Sequence, residues 1–373
     1  MKRLALLCAI AATLAFAVVA AAAPPPVDAE AYVVQNSGTG EVLASHDEHE
    51  QLPMASITKL MTAIVALEHA SLDDVATVSR RTASIGESTI NLRPGERVTL
   101  RDLIRAALIQ SANDAANAIA AHVGGGSVGH FVELMNARAR QLGLEDTHFV
   151  NPDGLDAPGH YSSAADLTKL ARVAMNKPFI RQTVRLVDAE AAGRRVHTWN
   201  DLLSSFPRTI GVKTGHTNGA GWSQVAAARG GGVTIYATIL GGETREGRNG
   251  DLAALLTWGL SRYRTVWAID GDRTYATART AYGKPPVRLV AAKPALRVVH
   301  VERPLVERVV APVEVSLPVR EGQRLGAVQV LARGKVIASS PLVAANTVER
   351  PGVVGRVGFY AGRTFDHLGG LLG

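Results

Sequence analysis

Apolar residues recur at helical spacing along several stretches of the chain. The clearest stretch, 53–68, opens at a proline, which suits the start of a helix, and its apolar positions are Leu60, Met61, Ile64 and Leu67. The same spacing predicts further helices over 103–108, from 114 to the glycines at 124–126, over 131–142, after 163, and over 248–263. Thr99 and Ser163 each stand three residues before an aspartate, the spacing of a helix N-cap and its third residue.

Short runs of strand-forming residues lie on either side of these helices. The runs 32–34 and 42–44 are joined by a turn-rich segment, and 222–229 is joined to 233–240 by three glycines. Each pair therefore predicts an antiparallel hairpin, and 209–217 predicts a further strand. The order of two strands, helices, three strands and a helix predicts an α+β domain over 24–277, with an antiparallel sheet flanked by helices.

The texture of the sequence changes after about Thr277. Helical spacing disappears, and valine-rich runs at 297–301, 306–315 and 326–331 are separated by prolines. The residues 333–335 have the composition of a hairpin tip. We expect a small C-terminal all-β sandwich domain over 278–350.

The last segment, 351–373, has an amphipathic helical pattern. Its apolar residues fall within one broad arc of a helical wheel, with Phe359 out of place. The arc contains Val353, Val354, Val357, Tyr360, Phe365, Leu368, Leu371 and Leu372. Cations are few, and each of the several glycines costs about 1 kcal/mol of helix propensity. We expect a membrane-surface segment, with a frayed tail as the alternative.

The first 23 residues have the pattern of a secretory signal peptide. A lysine and an arginine precede an apolar run, and a series of alanines ends just before three prolines. We expect cleavage near Ala23; the alternative is an uncleaved N-terminal anchor. The single cysteine, Cys8, lies in this leader, so the mature chain would have neither a disulfide nor thiol chemistry. Export without disulfides fits a bacterial cell envelope.

The charge of the chain is mildly basic. The 40 lysines and arginines exceed the 33 acidic residues by 7, and removing Lys2 and Arg3 with the leader leaves an excess of 5. Such a surface suits an anionic wall or membrane, whereas no basic run is interleaved with aromatic residues as nucleic-acid binding would require. The residues 46–50 have the composition of metal ligands, but no third ligand motif follows, and we interpret them as an exposed loop. No cofactor is predicted.

The predicted helix after Pro53 carries a serine and a lysine. Ser56 and Lys59 are three residues apart and therefore share one face. A neutral lysine amine can take the proton of a neighbouring hydroxyl, which makes the serine a nucleophile. Ser56 also lies in the first turn, where backbone N–H groups lack partners, so its own N–H can stabilise an oxyanion. Taken alone, this spacing usually belongs to a solvated helix face.

Two later motifs change this interpretation. Ser111-Ala112-Asn113 lies at a connection between two predicted helices, and Lys213-Thr214-Gly215 lies on the strand 209–217. Ser-x-x-Lys, Ser-x-Asn and Lys-Thr-Gly, in this order, are the signature of penicillin-binding proteins and serine β-lactamases. The chain resembles the D-alanyl-D-alanine carboxypeptidases, low-molecular-mass penicillin-binding proteins that trim peptidoglycan stem peptides. The resemblance runs from about Ala31 to the C-terminus and includes 151–166, which we interpret as mainly structural.

The resemblance implies acyl transfer on a stem peptide that ends in D-Ala-D-Ala. Ser56 would attack the penultimate carbonyl and release the last D-alanine, and water would hydrolyse the acyl-enzyme. Lys59 would be the base, and burial together with the charge of Lys213 would lower its pKa. Ser111 would relay a proton to the leaving amine.

The resemblance also implies a set of substrate-binding residues, namely Asn113, Lys213, Thr214, Gly215, His216 and Arg248. The asparagine would bind the peptide amide. The lysine and threonine would attract the terminal carboxylate with help from the arginine. The glycine lets the backbone approach a ligand, and the backbone N–H of the histidine would join that of Ser56 as an oxyanion donor.

The resemblance to this family implies further properties. It implies inhibition by β-lactams, a β domain that acts as a stalk, and a periplasmic or cell-envelope location with peripheral attachment to the cytoplasmic membrane. Three other functions stay open. A D,D-endopeptidase would use the same motifs, a β-lactamase would need a second carboxylate that no motif supplies, and an inactive wall-binding protein would not need the intact motifs. A lipase-like hydrolase is disfavoured because no Gly-x-Ser-x-Gly elbow is present.

Overall fold

A computed structural model describes residues 7–14 and 23–369 of the chain, with the side chains of 23–361. The strands are β1 (Leu7–Leu14), β2 (Ala31–Asn36), β3 (Val42–His46), β4 (Val75–Thr77), β5 (Arg97–Thr99), β6 (Asp188–Ala191), β7 (Arg194–His197), β8 (Thr209–Thr217), β9 (Gly221–Gly230), β10 (Val233–Gly242), β11 (Tyr263–Ile269), β12 (Thr274–Thr280), β13 (Val287–Ala291), β14 (Ala295–His300), β15 (Leu305–Pro312), β16 (Glu314–Val315), β17 (Arg324–Ala332) and β18 (Lys335–Ala344). The helices are α1 (Lys59–His69), α2 (Arg80–Ala83), α3 (Leu100–Ile109), α4 (Asn113–Val123), α5 (Val128–Leu142), α6 (Ala164–Asn176), α7 (Pro178–Thr183), α8 (Leu202–Ser205), α9 (Arg245–Ser261) and α10 (Val353–Gly369).

The chain divides into two compact units. The mixed unit is Ala22–Arg262, and the β unit is Tyr263–Gly373 together with Met1–Ala21. The division falls before the predicted boundary at 277, because β11 pairs with β14 and β12 pairs with β13 inside the β unit. The change in sequence texture appears only after these two strands.

The predicted leader, 1–23, lies largely outside the described residues. The part that is described, β1, pairs antiparallel with β15 of the β unit. Cleavage of the leader stays a prediction.

The mixed unit is built on a five-stranded antiparallel sheet in the order β3-β2-β10-β9-β8. Helices cover both of its faces. Gly259 of α9 packs against Ile235, whereas Thr168 of α6 hydrogen-bonds Thr238. Positions 235 and 238 of one strand point to opposite sides of the sheet because the side-chain period is two. This arrangement confirms the predicted α+β fold.

Helix α1 lies at the centre of the mixed unit. All of its residues from Lys59 to Ala66 are buried, and it packs against α3, α4, α5 and α6. A helix that is buried on every side needs apolar residues around most of its circumference, which the sequence supplies. The first turn of the predicted helix is a separate 3₁₀ turn, Ala55–Thr58.

Side-chain caps fix the neighbouring helices as predicted. The hydroxyl of Thr99 accepts a hydrogen bond from the backbone N–H of Asp102 at the start of α3. The hydroxyl of Ser163 accepts one from the backbone N–H of Asp166 at the start of α6. Gly143 ends α5 with a φ of 64°, a left-handed conformation that favours glycine. These caps fix where α3 and α6 begin and where α5 ends.

The β unit has the predicted all-β character. Its larger sheet has the order β1-β15-β17-β18-β13-β12-β16, and the β11–β14 pair packs against β17 and β18. Ala332 pairs with Lys335, so residues 333 and 334 form the predicted hairpin tip.

Helix α10 follows the strands. Phe359, which is out of place in the predicted arc, lies 5.9 Å from the ring of Tyr282. Val354, Val357 and Tyr360 of the arc are exposed. Within the described residues, no helix combines the length and apolar character that crossing a bilayer requires.

Candidate active site

Three parts of the mixed unit meet around a cavity of about 260 Å³. The 3₁₀ turn and α1 supply Ser56 and Lys59, the connection between α3 and α4 supplies Ser111 and Asn113, and β8 supplies the Lys-Thr-Gly motif. The predicted site residues that line the cavity are Ser56, Ser111, Asn113, Thr214, Gly215, His216 and Arg248. The fold therefore gathers motifs that are far apart in the sequence.

Gly215 lets β8 lie directly against the turn that carries the serine. A Cβ at this position would lie 3.0 Å from Ala55 Cβ and 3.2 Å from the backbone nitrogen of Ser56. Such contacts are closer than side chains normally make, so the strand needs glycine here for its approach. The glycine was predicted to let the backbone approach a ligand, which stays a prediction, whereas the close approach that the structure shows is to the serine turn.

Lys59 joins the parts of one end of the cavity. Its Nζ donates hydrogen bonds to Ser56 Oγ at 2.6 Å, to Asn113 Oδ1 at 2.8 Å and to the backbone carbonyl of Asp153 at 2.6 Å. We call these four residues the nucleophile end. Three acceptors fix the position of the amine, so it lies against the serine hydroxyl whose proton a base must remove.

Burial lowers the pKa of Lys59 from its usual 10.5 to about 8, against the opposing charges of Asp153, Glu87 and Asp114. Burial is the cause that the sequence argument named first. The other named cause, repulsion between the charges of Lys59 and Lys213, lowers the pKa of Lys213. At pH 7 a group with this pKa is neutral in about a tenth of the molecules, which is enough for a general base.

The other end of the cavity collects positive charge. Lys213, Arg245 and Arg248 form what we call the cationic end. Lys213 Nζ donates to Ser111 Oγ at 3.0 Å and to the carbonyl of Thr214 at 2.8 Å. Burial, followed by the charges of Lys59 and Arg248, lowers the pKa of Lys213 well below its usual value. A bound anion would relieve this repulsion.

The two arginines of the cationic end differ in their partners. Arg245 forms a two-pronged ion pair with Asp201 at 2.6 and 2.8 Å. Arg248 is 2% exposed, lies 5.6 Å from the centre of the Trp222 ring and hydrogen-bonds the side-chain oxygen of Asn249. Burial lowers the pKa of Arg248 to about 10, so it stays charged at neutral pH. Because Asp201 offsets Arg245, Arg248 and Lys213 are the cations best placed for a carboxylate.

The Ser-x-Asn residues touch both ends of the cavity. Ser111 has a φ of 64°, which is unusual for a residue other than glycine, and its hydroxyl faces Lys213. Asn113 uses its amide oxygen for Lys59 and its amide nitrogen for the carbonyl of Gly86. Asn113 therefore orients Lys59, and the predicted contact with a substrate amide would use the second lone pair of its oxygen.

Several neighbours of the site were missed in the sequence. The backbone carbonyl of Asp153 accepts a hydrogen bond from Lys59, although the segment around Asp153 was interpreted as mainly structural. Asn117 Nδ2 lies 2.5 Å from the side-chain oxygen Oδ2 of Asp153. Trp199 and Arg245 line the cavity without belonging to a motif. Every residue has a backbone carbonyl, so no sequence signal could have identified the carbonyl of Asp153 as a partner of Lys59.

His216 lies at the end of β8, beside Trp222. The ring of His216 stacks on Trp222 with centroids 3.9 Å apart, which fixes the end of β8. In the described part of the chain, no group of three His, Cys, Asp or Glu side chains could hold a metal ion.

The fold and the site define a serine hydrolase of the penicillin-binding class, in which the buried Lys59 contacts Ser56. Residues 18–244 match the D-alanyl-D-alanine carboxypeptidase family. DacD of Salmonella typhimurium, a D-alanyl-D-alanine carboxypeptidase, is 34% identical over 90% of each chain, and DacC of Escherichia coli is 33% identical over 92% of this chain and 90% of its own. The crystal structure of penicillin binding protein 6B from Escherichia coli, 31% identical, matches with a TM-score of 0.64 over 87% of this chain and 98% of its own.

The chain belongs to the D-alanyl-D-alanine carboxypeptidase family, and it is a serine peptidase. This confirms the predicted family, fold class and enzyme class. The endopeptidase, the β-lactamase and the inactive wall-binding protein are not favoured. The roles of the individual site residues stay predictions and are taken up next.

Proposed function

We propose that Ser56 is the nucleophile and Lys59 the base of a reaction that removes the terminal D-alanine from peptidoglycan stem pentapeptides. The observation that carries this proposal is the 2.6 Å contact between Lys59 Nζ and Ser56 Oγ, with the lysine wholly buried. A lysine held in this way is a base of suitable pKa next to a hydroxyl.

The acylation begins when neutral Lys59 takes the proton of Ser56 Oγ. The oxygen attacks the carbonyl carbon of the penultimate D-alanine, and the backbone N–H groups of Ser56 and His216 stabilise the oxyanion. The C–N bond then breaks, and the leaving amine receives a proton that Lys59 supplies through Ser111. Water attacks the resulting ester with Lys59 again as base, which releases the shortened peptide and restores the serine.

The cationic end selects substrates with a free C-terminal carboxylate. Lys213 and Arg248 are buried cations, and Thr214 lines the cavity beside them. An anion that enters offsets the mutual repulsion of the buried cations, so the carboxylate contributes to binding more than a neutral amide would. Asn113 holds the peptide amide on the other side of the serine. β-Lactams, which present both a carboxylate and a reactive carbonyl, would acylate the same serine.

The Ser56 assignment is tested with Ser56→Ala. We expect the variant to lose D-alanine release from a pentapeptide by at least about 10⁴-fold, and to lose covalent labelling by a fluorescent penicillin. Mass spectrometry identifies the labelled residue and the product. Ser84→Ala, at an exposed serine outside the site, is the matched control and should keep both properties. Label retained on another residue of Ser56→Ala would reject the assignment.

We also propose that the chain is exported and lies on the outer surface of the cytoplasmic membrane. The leader pattern supports export. On α10, Val353, Val354 and Val357 are exposed, while Phe359 contacts Tyr282. Exposed valines on one side of a helix suit the boundary between lipid headgroups and acyl chains.

A further inference from the structure

Behind the nucleophile lies a buried histidine that the reaction does not use directly. His160 is 5% exposed, and its Nε2 lies 2.8 Å from the hydroxyl of Thr58, in the same 3₁₀ turn as Ser56. On the other side of the ring, Nδ1 accepts the backbone N–H of Val150 at 2.9 Å. His160 thus connects the 150–160 segment to the serine turn.

The hydrogen bonds around His160 have one consistent direction. Because Nδ1 accepts a hydrogen bond from the backbone N–H of Val150, it cannot carry a proton itself in the neutral ring, so the ring proton is on Nε2. Burial lowers the pKa of His160 to about 4, which keeps the ring neutral. Nε2–H therefore donates to the oxygen of Thr58. The hydroxyl proton of Thr58 is then directed to its remaining partner, the carbonyl of Ala55 at 2.8 Å.

The last acceptor of this series belongs to the peptide unit of the nucleophile. The carbonyl of Ala55 and the N–H of Ser56 are two ends of one planar trans peptide, and they point in opposite directions. Fixing the carbonyl therefore fixes the N–H, which is one of the two proposed oxyanion donors. The peptide needs such support, because Ala55 has a φ of 46°, in the left-handed region that residues other than glycine rarely adopt.

We propose that His160 is a positioning residue for the oxyanion hole, which acts through Thr58 and the Ala55 carbonyl on the N–H of Ser56. The inference rests on the proposed function. Oxyanion donors work only when they point to where the charge develops, and losing one costs about 10²- to 10³-fold in kcat. A donor that is misdirected rather than removed should cost less, about 10- to 100-fold.

Two substitutions of the same residue separate this role from simple support of the 150–160 segment. In His160→Asn the amide oxygen can replace Nδ1 and keep the bond to Val150, but no donor reaches Thr58. In His160→Gln the amide nitrogen can replace Nε2 and keep the bond to Thr58, but the bond to Val150 is lost. We expect kcat for D-alanine release to fall about 10- to 100-fold in His160→Asn, with KM within about threefold, and to recover most of that loss in His160→Gln.

The same relay can be tested from Thr58. Thr58→Val should reproduce the loss of His160→Asn, and Thr58→Ser should restore the rate because it keeps the hydroxyl. Losses in the Thr58→Val, His160→Asn double variant should not multiply, since both remove one chain of hydrogen bonds. A peptidyl boronic acid, which forms a tetrahedral adduct on the serine, should lose affinity in parallel with kcat.

Melting temperatures of all variants show that the fold persists, and His69→Asn, at an exposed histidine, is the surface control. Equal activity of His160→Asn and His160→Gln, a loss that appears wholly in KM, or multiplying losses in the double variant would overturn the inference. The Thr58 pair keeps it testable if His160→Asn does not fold. A wild-type protein without D-alanine release would refute the proposed function itself, whereas an active wild type with an equally active His160→Asn refutes only the role of His160.

Discussion

The nucleophile end and the cationic end of the cavity each contain one fully buried lysine, and the two amines have opposite surroundings. Lys59 donates to three oxygen atoms, and carboxylates farther away partly offset the effect of burial, so its pKa is about 8. Lys213 donates to one hydroxyl and one carbonyl, and its charged neighbours are cations that add to the effect of burial.

The two roles proposed for these lysines, base and carboxylate receptor, call for such a difference. A base must be able to lose its proton near neutral pH, and the surroundings of Lys59 allow this without a ligand. An anion receptor must be charged when its ligand arrives, and a carboxylate beside Lys213 raises the pKa that the cations lower. We therefore infer that a substrate carboxylate would favour the charged form of Lys213, whereas the pKa of Lys59 is set without a ligand.

The largest expected effect concerns the nucleophile end. Lys59→Met keeps the length of the side chain and removes the amine, so we expect acylation by a penicillin to fall about 10³- to 10⁴-fold because no base remains. Stopped-flow labelling measures the rate. Lys335→Met, at an exposed lysine of β18, is the control and should leave the rate unchanged. A loss smaller than tenfold would mean that Lys59 is not the base.

A smaller and more selective effect is expected at the cationic end. Lys213→Ala should lower kcat/KM about 100-fold for a peptide with a free C-terminal carboxylate, because a buried charge-assisted contact disappears. The matching C-terminal amide should lose much less. Turnover of the two peptides by wild type and variant gives the comparison. Equal losses for both would assign Lys213 a role in tuning the base.

The pKa of Lys59 sets the expected pH dependence. Lys59 must be neutral to act, so kcat/KM for D-alanine release should rise with pH to a midpoint near 8 and fall about tenfold for each unit well below it. Initial rates over about pH 5.5 to 8.5, with a check of folding at each pH, provide the profile. A flat profile in this range would show that the base titrates elsewhere.

The smallest expected effect on catalysis comes from the C-terminus. A chain that ends at Arg350 should hydrolyse a soluble pentapeptide at the wild-type rate, because the site lies wholly in the mixed unit. Only the full-length mature protein should sediment with liposomes, with neutral lipid nearly as effective as anionic lipid because apolar burial dominates. Binding that needs anionic lipid and vanishes in moderate salt would assign attachment to the basic surface. Binding by neither form would make α10 a tail.

Much of the site could be predicted because the motifs carry their chemistry in side chains. Ser56, Ser111 and Asn113 stand at spacings that a helix and a helix connection bring to one cavity, and they line it in the structure. Lys59 is buried against Ser56 and Asn113. The helices could be predicted for a similar reason, since a period of 3.6 residues is visible wherever one face is buried. Fold class follows from the order of such elements.

Other contacts of the site could be found only from the three-dimensional structure. The carbonyl of Asp153 binds Lys59 with a backbone atom, which every residue possesses and no sequence distinguishes. Arg245 meets Asp201 and lines the cavity only because a loop and a helix converge. Distances decided the balance at Lys59, where burial lowers the pKa more than the nearby carboxylates raise it, and a sequence does not give distances.

Gly154 shows what this packing implies for tolerance to mutation. It has a φ of 90°, and a Cβ there would lie 2.0 Å from the carbonyl oxygen of Ala55, the same oxygen that Thr58 holds. Every substitution, even alanine, would therefore push on the peptide that carries the N–H of Ser56. In a saturation library selected by penicillin labelling, we expect position 154 to be as depleted of variants as position 56, although a glycine has no side chain to offer a substrate.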